Sequence, residues 1–537
     1  MKLNKSTLAQ IPIDKPSYNR DEIGIGIVHF GVGGFHRAHQ ARYVDRLLQM
    51  GLAAQWGICG VGVLPADRKM ADVMAAQDGL YTLLVENPDG SREARVIGSI
   101  VDYRYAPDDA EAVIELLAAP STRIISLTIT EGGYNIDNLG GIAGSAGGGG
   151  IAGSAGGGGI AGSAGGGGIA GSAGGGGIAG SAGGGGIAGS AGGGGIAGGG
   201  GGVSVFGLVA DALARRRDRG IASPTIVSCD NIEGNGEVAR HAFTTYAERE
   251  HPGLGAWMSA HTRFPNSMVD RITPATTPDV IAALADEFGV EDLWPVVAEP
   301  FTSWVLEDDF SDGRPPLEEA GVLLVGDVMP YELMKLRLLN AGHQSLCYFA
   351  YLAGYRLVHD AASDPLFAEF LLEYMDSEAT PTLKPVPGID LPDYKRTLIE
   401  RFANPGVKDT IARLCFGSSD RIPKWLLPVV RANLAAGGPV RLSAATVASW
   451  ARYAEGVDEH GEHIDVQDQL ADTLVPLARS QHHNPTAFIE NTDVFGDLAS
   501  QPRFVEAYVW ALDSLHRDGA RATLEGLLAL AHEEATP

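Results

Sequence analysis

Residues 27–39 read IVHFGVGGFHRAH, and the reading of this stretch decides the fold. Ile25 to Phe30 is a short apolar run closed by Gly31, Gly33 and Gly34, after which Ala41, Val44, Leu47 and Leu48 recur at helical spacing. A strand, a glycine turn and a helix in that order open a β-α-β unit. Gly31-x-Gly33 sits where a dinucleotide pyrophosphate would need it, because small residues let backbone N–H groups and a helix N-terminus approach the anion. The third glycine of the usual fingerprint is replaced by His36, so the motif is incomplete. Gly31, Val32, Gly33, Gly34 and Phe35 are candidate nucleotide contacts, with an ordinary tight turn as the alternative. Asp67, in VGVLPADRK after the second strand, is the candidate for the ribose hydroxyls of NAD, although it lies further on than the usual ~20 residues. Arg68 beside it suits a 2′-phosphate and leaves NADP open, and a helix cap is the plainer role for Asp67.

The same alternation continues outward in WGICGVG (56–62), in IISLTIT (124–130) and in VFGLVADALARRR leading to TIVSC (225–229). Alternating strands and helices favour a mainly parallel sheet wrapped by helices. NPDG at 87–90 reads as the turn of an antiparallel hairpin. Beyond Pro330 the strand signals fade and helical patterns take over at 331–355, 365–375, 443–453 and 503–530. The expected fold class is α/β. A Rossmann-like N-terminal domain spans residues 1–326, a mainly α-helical C-terminal domain spans 327–537, and the site lies where they meet near Asp327. From Ile142 the nonapeptide IAGSAGGGG occurs six times in tandem, and a degenerate copy runs on to Gly202. The tract carries no charge and little apolar surface, so a disordered, flexible surface insertion is expected at 142–202. Calcium-binding nonapeptide solenoids need an Asp in each repeat, and none is present.

The formal charge of −26 repels phosphate backbones and anionic lipid surfaces, so neither nucleic acid nor membrane is expected as a partner. The first residues lack a signal-peptide core, and no later stretch offers about 18 uninterrupted apolar residues, so a cytoplasmic location is expected. Cys59, Cys229, Cys347 and Cys415 show neither C-x-x-C pairing nor metal-ligand spacing, and no metal is expected. His482 and His483 are adjacent, face different ways, and read as loop residues. The chain is expected to be a monomer or a small homo-oligomer.

The chemistry concentrates in YELMKLRLLNAGHQSLCYFAYLAGY, residues 331–355. At 100° per residue, Glu332, Lys335, Asn340 and His343 fall within an arc of about 140°, among leucines and aromatics. A buried lysine without a fixed partner loses its charge readily, and buried Asn or His must find hydrogen bonds. Such groups are more often catalytic than decorative. Lysine snorkelling at a helix start is the alternative. Tyr331 and Lys335 also spell Y-x-x-x-K, the pair of short-chain dehydrogenases, but they lie about 300 residues after the glycines, too late for that family. A zinc alcohol dehydrogenase is excluded by the missing Cys/His spacing.

Lys335, Asn340 and His343 form K-x-x-x-x-N-x-x-H, which resembles the motif of the polyol-specific long-chain dehydrogenases, the mannitol 2-dehydrogenase family. The resemblance continues through GVGGFHRAHQARYVD, TITEGGYNI, SCDNIEGNG, FPNSMVDRITP, EPFTSWVLEDDF and IPKWLLPVVRANL, and spans nearly the whole chain outside the glycine tract. It implies NAD-dependent, metal-independent oxidation of a polyol such as mannitol, with Lys335 as general base. Asn231 and Asn340 would then hold the reacting oxygen, and Glu332 would relay the proton. His343, Asp270 and Arg413 would bind the remaining hydroxyls. Many relatives carry a His three positions after that arginine and a Lys five beyond it, whereas this chain has Phe416 and Arg421. Arabinitol dehydrogenase and fructuronate reductase are therefore the rival activities, and a non-catalytic nucleotide-binding protein is the rival of another class.

Overall fold

The structure is a computed structural model that describes residues 1–134 and 203–535. The glycine-rich tract, with the insertion expected there, lies outside the described residues. Five parallel strands form the main sheet: β1 (Ile25–Phe30), β2 (Gly57–Gly62), β5 (Ile100–Tyr105), β6 (Ile124–Leu127) and β7 (Thr225–Ser228). Their order is β5-β2-β1-β6-β7, with Ile27 opposite Ile124 and Val28 opposite Cys59. The strand order reverses between β1 and β6, so the carboxyl ends of β1, β6 and β7 open onto the crevice where sheets of this kind bind ligands. Val28, Phe30, Ile125, Leu127 and Ile226 are buried on one face beneath the helix Val205–Arg219. Ser204 caps that helix by accepting the Gly207 amide hydrogen.

The hairpin expected at 87–90 forms between β3 (Tyr81–Glu86) and β4 (Arg92–Ile97), closed by the Gly90 amide donating to the Asn87 carbonyl at 3.0 Å. Two further small sheets were not foreseen. β3 also pairs with β9 (Val296–Ala298), and β10 (Ser303–Glu307) joins β8 (Ser267–Asp270) to β11 (Leu323–Val325). Three to five residues are too few to show a period of two. The run 124–130 ends as a strand at Leu127, because the amides of Ile129 and Thr130 donate to the Asp230 carboxylate rather than to a neighbouring strand.

From Met329 onward the named elements are helical. The helix expected over 331–355 is not a regular α-helix. It runs from Met329 to Met334, passes through a π-helical turn over Lys335–Asn340, and resumes as α-helix over Ala341–Leu352. The closing helix, Pro502–Ala535, kinks at Gly519, where φ is 84°. These helices pack around one core in which Trp450 meets Phe488 edge-to-face at 4.9 Å. Among the described residues no helix is long and apolar enough to cross a membrane.

Candidate active site

The carboxyl ends of the parallel strands face the Met329–Leu352 helix across a cleft, which receives residues from both halves of the chain. Gly31 makes the turn after β1 at φ +92°, and a Cβ there would lie 2.1 Å from the Thr128 carbonyl oxygen. Only glycine satisfies both conditions. Gly33 and Phe35 line the cleft, while Gly34 begins the short helix Gly34–Ala38 and Val32 is buried beneath the turn. Asp67 stands beyond β2, outside the cleft lining, with Oδ2 accepting the Val63 and Leu64 amide hydrogens at 2.9 Å each. Arg68 is engaged by Asp108.

Lys335 is only 8% exposed and donates from Nζ to Oδ1 of Asn231. Burial pushes its amine below the ordinary lysine range, while the charges of Asp270 and Glu332 oppose the shift. Asn340 lines the same cleft. The π-helical turn accounts for this, because i→i+5 bonding widens the turn and stacks residues five apart. Regular α-helical geometry would have set Lys335 and Asn340 about 140° apart. Glu332 lies behind Lys335 in a smaller crevice shared with Asn231. It accepts the Gly234 amide hydrogen at 3.1 Å, and burial pushes its carboxyl up to about 7.

His343 lines the cleft, stacks on Phe402 at 4.1 Å, and leaves Nε2 without a protein partner. Burial, reinforced by Arg413, Arg401 and Arg421, holds its imidazole well below the ordinary range and therefore neutral. Arg413 reaches the cleft while paired with Asp409. Asp270 also lines the cleft, but both its oxygens accept hydrogen bonds from Arg401, at 2.8 and 2.9 Å. Arg401 grips Glu299 as well, at 2.9 and 2.8 Å, so one buried guanidinium joins two acids. Arg421 lines the cleft and donates to the carbonyls of Arg413 and Leu414. Phe416 is 54% exposed and outside the lining.

Sequence reasoning missed three groups here. Arg401 falls between Leu398 and Phe402 on the buried side of the helix Leu391–Phe402, a placement that marks a paired cation. Asp230 adjoins Asn231 and gathers the Ile129 and Thr130 amides together with the Tyr134 hydroxyl, which donates to it at 2.7 Å. It thereby fixes the loop after β6 against the loop after β7. His36, which broke the glycine fingerprint, stacks on His29 at 3.4 Å and lines the cleft.

A Rossmann-type sheet meeting a helical body across a cleft that buries a lysine against a carboxamide defines the class as a two-domain oxidoreductase. The family described as "Mannitol dehydrogenase Rossmann domain" matches residues 25–319, and "Mannitol dehydrogenase C-terminal domain" matches 327–516. The chain belongs to the mannitol dehydrogenase family. It is 40% identical to the mannitol 2-dehydrogenase of Phaeosphaeria nodorum over 98% of this chain and 85% of that one. It is 38% identical to that of Aspergillus clavatus, over 98% of each chain. Among solved structures, the Pseudomonas fluorescens mannitol 2-dehydrogenase in ternary complex with NAD and D-mannitol is 39% identical, with a TM-score of 0.78 over 98% of this chain and 100% of that one. A D-sorbitol dehydrogenase in substrate-free form is 32% identical, with a TM-score of 0.81 over the same shares.

Proposed function

We propose that this chain oxidises D-mannitol to D-fructose with NAD, using Lys335 as general base without a catalytic metal. The observation that carries the mechanism is a buried lysine whose partner is a neutral carboxamide, Asn231. A neutral amine in that position can take the proton of a secondary alcohol. The Asn231 carboxamide accepts from Lys335 through oxygen, so its N–H groups remain to donate to the alcohol oxygen as charge grows there, with Asn340 on the same cleft. Glu332, with its carboxyl near 7, receives the proton from Lys335 and passes it outward through the smaller crevice. His343, neutral and with Nε2 unpartnered, binds a substrate hydroxyl beside Arg413. Asp270 acts through Arg401, holding the electrostatic surroundings of Lys335.

NAD supplies the hydride acceptor. The Gly31–Gly33 turn, too tight for side chains at Gly31, suits its pyrophosphate, and Asp67 suits its ribose. Gly34 and the buried Val32 and Phe35 shape that turn. Pairing of Arg68 with Asp108 favours NAD over NADP. The donor set in the cleft fits alcohol oxidation without Lewis acid help: Arg401 occupies both Asp270 oxygens, and a lysine base does what a metal would do by acidifying the alcohol. The change from strands to helices after β11 supports a domain division between 326 and 327.

The test is NADH formation at 340 nm, at mildly alkaline pH with chelator present, on mannitol, sorbitol, arabinitol and mannonate. Turnover of mannitol that is lost in Lys335→Ala is expected. Turnover of mannonate alone, or turnover abolished by chelator, would overturn the reading.

A further inference from the structure

Away from the cleft, three side chains from distant segments converge at the end of the helical half. Glu455 follows the helix Arg441–Ala454, His482 follows the helix Ala471–Ser480, and His516 lies three residues before the kink of the closing helix. Nε2 of His516 is 2.7 Å from Oε1 of Glu455, and the His482 and His516 rings lie 4.9 Å apart. One ligand atom from each of the three falls within 4.8 Å of the other two. The residues that read as loop histidines in sequence are thus split, with His482 brought to this cluster.

We propose that Glu455, His482 and His516 bind one divalent transition-metal ion of the zinc type. Two imidazoles and one carboxylate make a borderline donor set that suits Zn²⁺ and neighbouring metals rather than Mg²⁺ or Ca²⁺. Bonds of ~2.0–2.1 Å in a tetrahedron set ligand atoms about 3.3 Å apart, so modest side-chain rotations close the site around an ion, with water in the fourth position. The carboxylate is already aimed. Glu455 is buried at 8% exposure, and its Oε2 lies 3.2 Å from Arg452, which leaves Oε1 turned towards His516. An outer partner of this kind orients a ligand before the ion arrives. None of the three lines the cleft, so the ion is structural: it ties the closing helix, just before its bend at Gly519, to two helix ends.

The full-length protein, stripped with chelator and dialysed, is titrated with Zn²⁺ and with Co²⁺. Uptake is read by elemental analysis and by the visible absorption of four-coordinate cobalt. The wild type is expected to bind one ion per chain tightly and to melt at a higher temperature with Zn²⁺ present. His482→Ala changes an exposed residue and is expected to fold, to keep polyol turnover, and to bind at least about tenfold more weakly, since losing even an outer partner costs metal sites ~10–100-fold. His516→Gln should behave the same way. Absence of uptake by the wild type, or equal affinity in both variants, overturns the site. Polyol turnover is measured with chelator, so its loss would bear on the proposed activity and not on this ion.

Discussion

Lys335 and Arg401 are both buried basic side chains beside the cleft, yet their surroundings are opposite. Arg401 is clasped by two carboxylates, Asp270 and Glu299, and its guanidinium is held well above the ordinary arginine range despite burial. Lys335 meets a carboxamide, and burial carries its amine down. Equal burial therefore yields a fixed charge in one place and a removable proton in the other, and the pairing decides which. In the proposed mechanism the Arg401 cluster shapes the field and Lys335 exchanges the proton.

The sharpest way to break this contrast is Lys335→Arg, which keeps a cation but cannot release its proton. We expect kcat for polyol oxidation to fall about 10²–10⁴-fold, as far as for Lys335→Ala, with NADH binding by fluorescence titration unchanged. An arginine variant within tenfold of wild type would show that the base lies elsewhere.

Breaking the other half comes next. Arg401→Met strands two buried acids and should cost about 3–5 kcal/mol of stability in denaturant unfolding. If the variant is folded enough to assay, a second readout applies. Wild-type kcat/KM for oxidation should rise with pH through the lowered lysine pKa, because only the neutral amine accepts a proton. Arg401 helps to lower that pKa, so its removal should move the rising limb to higher pH.

Glu332 sharpens the comparison on a smaller scale. Its folded pKa of about 7 lies above the ordinary 4.5, so its contribution to stability is full below pH 4.5 and lost as pH rises through 7. Glu332→Gln, which never ionises, should remove that decline, a relative gain on the order of 2–3 kcal/mol above pH 7 in unfolding measured across pH. The smallest effect is expected for Phe416→His. This places a histidine where the family resemblance expects one, but at an exposed position outside the cleft, and kcat/KM on mannitol should change less than about twofold.

Much of this arrangement was legible in the chain. Gly31 could be read because its turn forbids a side chain, and Lys335, Asn340 and His343 because polar residues amid leucines must be accounted for. The rest depends on contacts that local pattern does not carry. Arg401 meets acids in β8 and just beyond β9, across a gap no periodicity spans. Asp230 is one acid among many until the amides of Ile129 and Thr130 turn towards it. The small sheets are too short to show an alternation. The π-helical turn leaves no compositional mark, because KLRLLN suits an α-helix equally well.

That turn also sets a phase. Widening one turn lets the helix absorb an extra residue, so everything from Ala341 onward is rotated back relative to Met329–Met334 by roughly the 100° that one residue occupies. Deleting a single leucine between Lys335 and Asn340 would let a regular α-helix form with its apolar composition almost intact. Asn340 would then stand four residues after Lys335 and keep its phase, whereas an α-helix wound through the undeleted sequence would set the two about 140° apart, so the register of this helix, as much as its residues, assembles the site.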